Sequence, residues 1–313
     1  MNSILSLFIV LSALGEKPPG VDERVVFLGD SITHNGGYVA YIDAVIRLTG
    51  MEKTFELINM GLSSETASGL SEEDHPFPRP CVLERIDRVL KMMKPDTIVL
   101  CYGMNDGIYA PLDDERFKAY RKGINTIIRK ADAAEAKVIL LTPFPFDAVA
   151  AGKKGSLAKK GGEVPLGFKA IYPDYDKVLA RYSKWILKQG ERVSKVVDIR
   201  TPITDYLAEK RKEDPDFVLS GDGVHMNAEG QMLTGRVLLK AWDLPEEVVF
   251  PGGYYELVRK KMAAQRDGWL AHVGHKRPMK GTPPTLEEAF ATAAELEDKI
   301  NAKLAASSVP ATP

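Results

Sequence analysis

A serine hydroxyl attacks a carbonyl only when a base takes its proton and a third group orients that base. The chain offers such a set at wide separation. Ser31 follows the apolar run Val25-Val26-Phe27-Leu28 and the pair Gly29-Asp30. His225 closes Asp222-Gly223-Val224-His225, so Asp222 stands three residues earlier on one loop, within reach of the ring's Nδ1 proton. The attacked carbonyl also needs donors for its developing oxyanion. The backbone N–H of Ser31 is one, and Gly61 brings a second N–H close because it carries no side chain. Asn105, in Gly103-Met104-Asn105-Asp106-Gly107, supplies an amide. Blander readings exist: Ser31 as a helix N-cap, Asn105 as a turn former, Asp222 and His225 as a surface turn. The full set favours nucleophile, base, orienting acid and oxyanion donors. Asp30 reads as a brace or cap beside the nucleophile, and Asp106 as structural.

These residues must be brought together by the elements that carry them. Five short apolar runs, 24–28, 55–59, 97–102, 137–142 and 195–199, read as buried parallel strands. Helical patterns lie between them at 38–48, 82–93, 114–134 and 174–189, and a last one runs to about Trp242. Strands alternating with helices predict βα units, one parallel sheet and helices on both faces. Ligands in such sheets sit beyond the carboxyl ends of the strands, and there the unusual residues fall. From Pro245 the pattern changes to two helices, 254–270 and 286–304. Thr285 and Glu288 form a capping box for the second. We expect a core domain over 22–245, a helical appendage over 246–304 and a loose tail over 305–313.

The blocks Gly29-Asp30-Ser31-Ile32, Gly61, Gly103-Met104-Asn105-Asp106 and Asp222-Gly223-Val224-His225 resemble, in order and at strand ends, the four blocks of the SGNH (GDSL-type) hydrolases. The likeness spans about residues 25–230. It implies a three-layer α/β/α, flavodoxin-like fold with a five-stranded parallel sheet, here with extra C-terminal helices. It also implies the catalytic roles reasoned above: Ser31, Asp222 and His225 in catalysis; Ser31, Gly61 and Asn105 in the oxyanion hole. Two departures are visible: Ile32 stands where the name-giving motif has Leu, and Ser64 where carbohydrate-active members often have glycine.

Other residues are open to two readings. His34 either lines the pocket or sits in a solvated turn. Arg79, in Asp74-His75-Pro76-Phe77-Pro78-Arg79-Pro80, either contacts an anionic or sugar group of the substrate or is a surface arginine. His272 and His275 lack a spaced carboxylate or cysteine partner, so no metal is expected; the chemistry needs no cofactor. Cys81 and Cys101 do not make a disulfide framework, and Cys101 reads as a buried thiol. The net charge of −1 over 313 residues gives no footprint for nucleic acid. The apolar run 4–14 is shorter than the roughly 20 residues of a membrane span. Ala13-Leu14-Gly15 puts small residues at the −3 and −1 positions of a cut, so 1–15 reads as a signal peptide, which predicts an exported protein with no membrane anchor.

The function expected is therefore a serine esterase acting on small acyl esters, foremost an O-acetyl group on a carbohydrate. Rivals are a lysophospholipase- or thioesterase-like acyl hydrolase and an O-acetyltransferase of the same fold. A binding module with a dead site is disfavoured by the complete residue set. The loop over 151–162, with four lysines and four glycines, predicts a flexible polar rim rather than a lipase lid, with Phe144 and Phe146 as a stacking wall for a sugar.

Overall fold

The computed structural model describes residues 22–51, 55–159, 161 and 164–307. The expected signal peptide, residues 308–313 of the tail and two residues of the expected loop over 151–162 lie outside the described residues. Strand β1 (Glu23–Gly29) is hydrogen-bonded on both sides, to β2 (Phe55–Asn59) and to β3 (Thr97–Cys101). With helices over both faces a central parallel strand has no wet side, which is why Val25 to Leu28 form an unbroken apolar run, all buried. Strands β4 (Lys137–Leu141) and β5 (Lys195–Val197) complete a five-stranded, all-parallel sheet of order β2-β1-β3-β4-β5. The order reverses at β1, so the crevice for a ligand opens beyond its carboxyl end.

Short α1 (Ser31–Asn35) and α2 (Gly37–Leu48) follow β1. Helix α3 (Ile86–Met93) leads to β3, and α4 (Asp114–Ala133) leads to β4. Right-handed crossovers put α2 on one face of the sheet and α3 and α4 on the other. The expected helix over 82–93 is split: a 3₁₀ turn, Val82–Glu84, precedes α3, and the break falls at Arg85. Helix α4 shows why its sequence is helical. Asp113 caps it by accepting from Arg116 N–H at 2.8 Å, acids fill the first turn, and Phe117, Tyr120, Ile124, Ile127, Ile128 and Ala131 recur on one buried face.

The segment after β4 departs from expectation. Ala148–Lys154 is helix α5, not loop. Asp147 caps it, Lys153 and Lys154 sit in the last turn where a helix dipole favours cations, and Gly155 ends it. Phe144 and Phe146 are buried, packed on Tyr38 and Tyr175, so neither is a stacking wall. Helix α6 (Tyr175–Ile186) runs on as a 3₁₀ stretch, Leu187–Arg192, and stacks Tyr182 on Phe117 and Tyr120 of α4. Strand β5 stops at Val197, earlier than expected, because Thr142 Oγ1 accepts the N–H groups of Ile199 and Arg200 and bends the chain into α7 (Arg200–Glu213).

Helix α8 (Ala228–Ala241) packs on α2. Helices α9 (Tyr254–Val273) and α10 (Leu286–Ser307) pack on each other, and α9 also lies against α2, α3 and β2, covering the sheet's β2 edge. The capping box of α10 is formed, with Thr285 N–H on Glu288 Oε2 at 2.8 Å and Glu288 N–H on Thr285 Oγ1 at 3.2 Å. Tyr254, Val258, Met262 and Trp269 join the same apolar core as the strands.

Under the strand ends lies a buried ion pair. Arg85 Nε and Nη2 each donate to the Glu65 carboxylate at 2.6 Å, both side chains 0% exposed, and Tyr102 Oη donates to Glu65 Oε2 at 2.6 Å. Removing one partner leaves an uncompensated buried charge, which typically costs about 3–5 kcal/mol. Arg85→Met is therefore expected to lower the unfolding free energy by about that amount in urea titrations followed by circular dichroism. Arg85→Met/Glu65→Gln should recover part of the loss. A single-variant loss under about 1 kcal/mol would show that the pair is dispensable.

Candidate active site

The site begins where β1 ends. Helix α1 folds back so tightly that a Cβ on Gly29 would lie 2.1 Å from Thr33 Oγ1 and 2.8 Å from the Cys101 carbonyl, so no other residue fits. Asp30 is the N-cap, its carboxylate accepting from Ile32 N–H at 2.9 Å. The capping role thus falls to Asp30, and the Ser31 hydroxyl is left for other work. Ser31 Oγ lies 2.8 Å from His225 Nε2. His225 Nδ1 lies 2.7 Å from Asp222 Oδ2, which makes Nδ1 the protonated nitrogen and Nε2 the one that faces the hydroxyl.

The loop carrying this pair is pinned locally. Asp222 Oδ1 accepts from the N–H groups of Val224 and His225 at 2.9 and 2.8 Å, and Ser220 Oγ accepts from Gly223 N–H at 2.9 Å. Asp147 N–H donates to the Gly223 carbonyl at 2.9 Å, so the start of α5 braces the loop from behind. Arg211 holds Asp147 through both carboxylate oxygens. The expected flexible rim is instead part of the scaffold under His225. The imidazole is 49% exposed, open to an incoming ester.

The electrostatics follow from placement. The hydrogen bond that His225 donates to Asp222 raises the His225 pKa above its ordinary value, against partial burial, with the Asp222 and Asp30 charges adding. Burial pulls the Asp222 carboxyl upward, but the His225 ring and the two backbone N–H donors outweigh it and hold it well below the usual range. Asp30, buried and accepting one backbone hydrogen bond, is pushed up to about 7 by desolvation.

The oxyanion donors differ from expectation. Gly61 N–H is already spent on Asn59 Oδ1 at 2.8 Å, while Asn59 Nδ2 holds the Thr33 carbonyl at 2.7 Å. The missing side chain at Gly61 serves close packing instead: a Cβ there would lie 2.3 Å from His34 N. The expected role of Gly61 as a donor is corrected on this ground. Three residues on, Ser64 has φ 68°, in the left-handed region that favours glycine, and its N–H has no partner among the described residues. The Ser31 N–H, at the first turn of α1, is likewise free.

Asn105 is buried. Its Oδ1 accepts from Tyr109 Oη at 2.8 Å, and its Nδ2 donates to the Glu65 carbonyl at 3.0 Å. An amide nitrogen carries two protons, so one remains for a ligand. Tyr109, which sequence reasoning missed, fixes the amide's orientation. It sits at φ 53° directly after Ile108 at φ 56°, two successive non-glycine residues in the left-handed region. Such strain gathers at functional sites, and no pattern in the sequence marks it.

The two remaining expected residues are tied into this frame. Arg79 is buried, not a surface arginine: it grips both Glu72 oxygens at 2.6 and 2.7 Å, donates to the Ser64 carbonyl at 3.3 Å and lies 5.6 Å over the Tyr109 ring. Its guanidinium is taken up by the protein rather than offered to a substrate. His34 is half-buried, donating from Nδ1 to the Gly61 carbonyl at 2.9 Å, and burial together with Arg266 lowers its pKa to about 4. Asp106 accepts from Ala67 and Ser68 N–H at 2.9 and 2.7 Å and holds the strand-two loop. Among the described residues Cys81 and Cys101 are unpaired, no cluster of potential metal ligands occurs, and no helix is long and apolar enough to cross a membrane.

Solved structures share the fold. A gut microbial diltiazem-metabolizing enzyme is 20% identical with a TM-score of 0.54, over 74% of this chain and only 49% of its own length. An acetylxylan esterase from Geobacillus stearothermophilus is 20% identical with a TM-score of 0.53, over 74% of this chain and 99% of its own. A further acetyl xylan esterase is 24% identical with a TM-score of 0.50, over 70% and 98%. At these identities the likeness concerns the fold. No curated protein sequence matches the chain. Residues 27–233 match the GDSL-like lipase/acylhydrolase family; the chain belongs to that family and is a serine carboxylic-ester hydrolase.

Proposed function

We propose that the enzyme removes short acyl groups, acetyl foremost, from a carbohydrate through an acyl-enzyme on Ser31. The observation that carries the reading is the hydrogen-bonded chain Ser31–His225–Asp222 at the strand ends, beside three unspent donors. Ser31 Oγ attacks the acyl carbon as His225 Nε2 takes its proton. The oxyanion is held by the N–H groups of Ser31 and Ser64 and by Asn105 Nδ2. Collapse breaks the bond to the alcohol, which leaves with the proton from His225. Water, deprotonated by the same ring, then splits the acyl-serine and releases the acid. Asp222 orients the ring and steadies the imidazolium.

Two similar folds are acetylxylan esterases by name. Helix α5 turns Ala150 and Ala151 inward and puts lysines in its last turn, which does not make an apolar lid. One observation favours a longer acyl chain: Val149, Val164 and Leu166, all after β4, are exposed apolar residues. A chain-length series of p-nitrophenyl esters separates the readings. We expect kcat/KM to fall from acetyl to octanoyl, with Ser31→Ala inactive throughout. A rise with chain length would favour the lipase or thioesterase reading.

Asn105→Ala is expected to lower kcat about 10²–10³-fold with little change in KM. Tyr109→Phe should lower kcat by a smaller factor, and should add nothing in the Asn105→Ala background, since it acts only through that amide. A fall confined to KM would assign both residues to substrate binding.

The pH dependence has a definite sign. His225 works as a base only when neutral, and its partner raises its pKa, so the acid limb of kcat/KM should lie above the ordinary histidine value of about 6.5. Asp222→Asn should lower the rate and move the limb toward acid. A limb that stays in place in that variant would mean another group is titrating.

A further inference from the structure

The segment after α9 carries cations that the catalytic machinery does not use. Lys276, Arg277 and Lys280 fall within five residues, and none makes an ion pair among the described residues. The Arg277 guanidinium lies 5.5 Å over the ring of Phe77, on the strand-two loop. Its Nε is buried without a partner, and its one hydrogen bond is a long one, 3.4 Å, from Nη1 to the Pro278 carbonyl. By contrast Arg266, earlier on α9, is neutralised by Asp267 and tied to the His34 carbonyl.

The position is held on several sides. Arg88 donates to the carbonyls of Val273 and Gly274 at 2.7 and 3.1 Å, fixing the base of the segment. Phe77 meets the His75 ring edge-on at 4.6 Å, and His75 meets Phe168 at 5.2 Å. Two residues past Phe77, Arg79 holds the Ser64 carbonyl. Arg277 also joins Arg266 in depressing the His34 imidazole, which sits one helical turn from Ser31. Through Phe77 the cation is joined to the strand-two loop, whose Arg79 holds the Ser64 carbonyl beside the nucleophile's helix. Nε being closed off beneath, a guanidinium laid on this ring keeps its Nη1–Nη2 edge in plane, the geometry that takes a carboxylate or sulfate through two parallel hydrogen bonds.

We propose that Arg277, seated on Phe77, is a leaving-group subsite for an anionic sugar, one bearing a carboxylate or sulfate near the acylated hydroxyl. The inference rests on the deacetylase reading for its reaction and on the C-terminal segment, beyond the family match at residue 233, for its specificity. Lys276 and Lys280 add positive potential that steers an anion and fades with salt.

The test compares kcat/KM for an acetylated oligosaccharide carrying glucuronate, its sulfated counterpart and a neutral acetylated xylo-oligosaccharide. The wild-type enzyme is expected to favour the anionic substrates, and Arg277→Gln to reduce that preference about 10- to 100-fold, the range of a charged hydrogen bond. Arg277→Lys should recover only part, having charge but no planar fork. A preference for one anion over the other names its source and upholds the subsite. Equal rates on neutral and anionic substrates, or a preference unchanged in Arg277→Gln, overturn it while leaving deacetylation intact. Should no oligosaccharide be hydrolysed, the deacetylase reading falls. Calorimetric titration of Ser31→Ala with the glucuronate oligosaccharide then decides the subsite alone: binding weakened at least about 10-fold by Arg277→Gln upholds it, and absent or unweakened binding overturns it.

Discussion

The Arg85–Glu65 pair is the constraint on which the reactive end of the sheet depends. A carboxylate and a guanidinium with no solvent access are tolerable only when most of their lone pairs and protons are met, and here every guanidinium nitrogen but Arg85 Nη1 has a partner. Meeting them draws three segments together. Arg85 Nη2 also reaches the Met60 carbonyl at 2.7 Å, and Tyr102, one residue past β3, donates to the carboxylate. The backbone carbonyl of the same Glu65 accepts from Asn105. An oxyanion donor is useful only if it is already aimed, because reorienting it during the reaction would cost what the hydrogen bond contributes. The pair supplies that rigidity from beneath, and Arg79, bridging the Ser64 carbonyl and the Tyr109 ring, supplies it from the side.

The same chemistry, a carboxyl group, serves three ends according to where it is put. Asp222 is half-buried with two backbone donors and an imidazole, and stays ionised as the ring's partner. Asp30 is buried two residues from its one donor and is pushed up to about 7. Asp106 has two donors on one oxygen and none on the other, and burial brings it to about 6. Environment, not residue type, separates the orienting acid from the caps. A residue adjacent in sequence to the nucleophile is therefore a worse guide to catalysis than one 194 positions away.

What was legible in the sequence is what is decided locally. Five apolar runs bounded by turn residues became the five strands, and the strand-end blocks fell where a parallel sheet must place them. Capping by Asp30 and the Thr285–Glu288 box were readable because cap and capped group are a few residues apart. The errors share the opposite cause. Arg79 looked like a surface residue because Glu72 is recognisable as its partner only once the loop is folded. Gly61 looked like a free donor because Asn59, two residues back, turns its side chain onto it. The stretch 151–162 reads as loop by its lysines and glycines, yet its first residues end the helix Ala148–Lys154, which Asp147 caps and Arg211, 64 positions on, fixes. Propensity is a weak prior, and tertiary partners override it.

Helix α9 shows how a site of fixed chemistry acquires its surroundings. An open edge at β2 would present unpaired backbone groups, and some element must cover it. Once α9 takes that place, its polar side has to lie near the mouth: Tyr255 Oη donates to the Gly37 carbonyl at 2.9 Å, and Arg266 reaches the carbonyl of His34. His34 in turn holds Gly61, so the end of α1, the strand-two loop and α9 share one hydrogen-bonded path. Edge protection and substrate surroundings are thus met by the same element. The nucleophile's helix is thus held from outside the segment that carries the catalytic blocks, by a residue beyond the family match at 233.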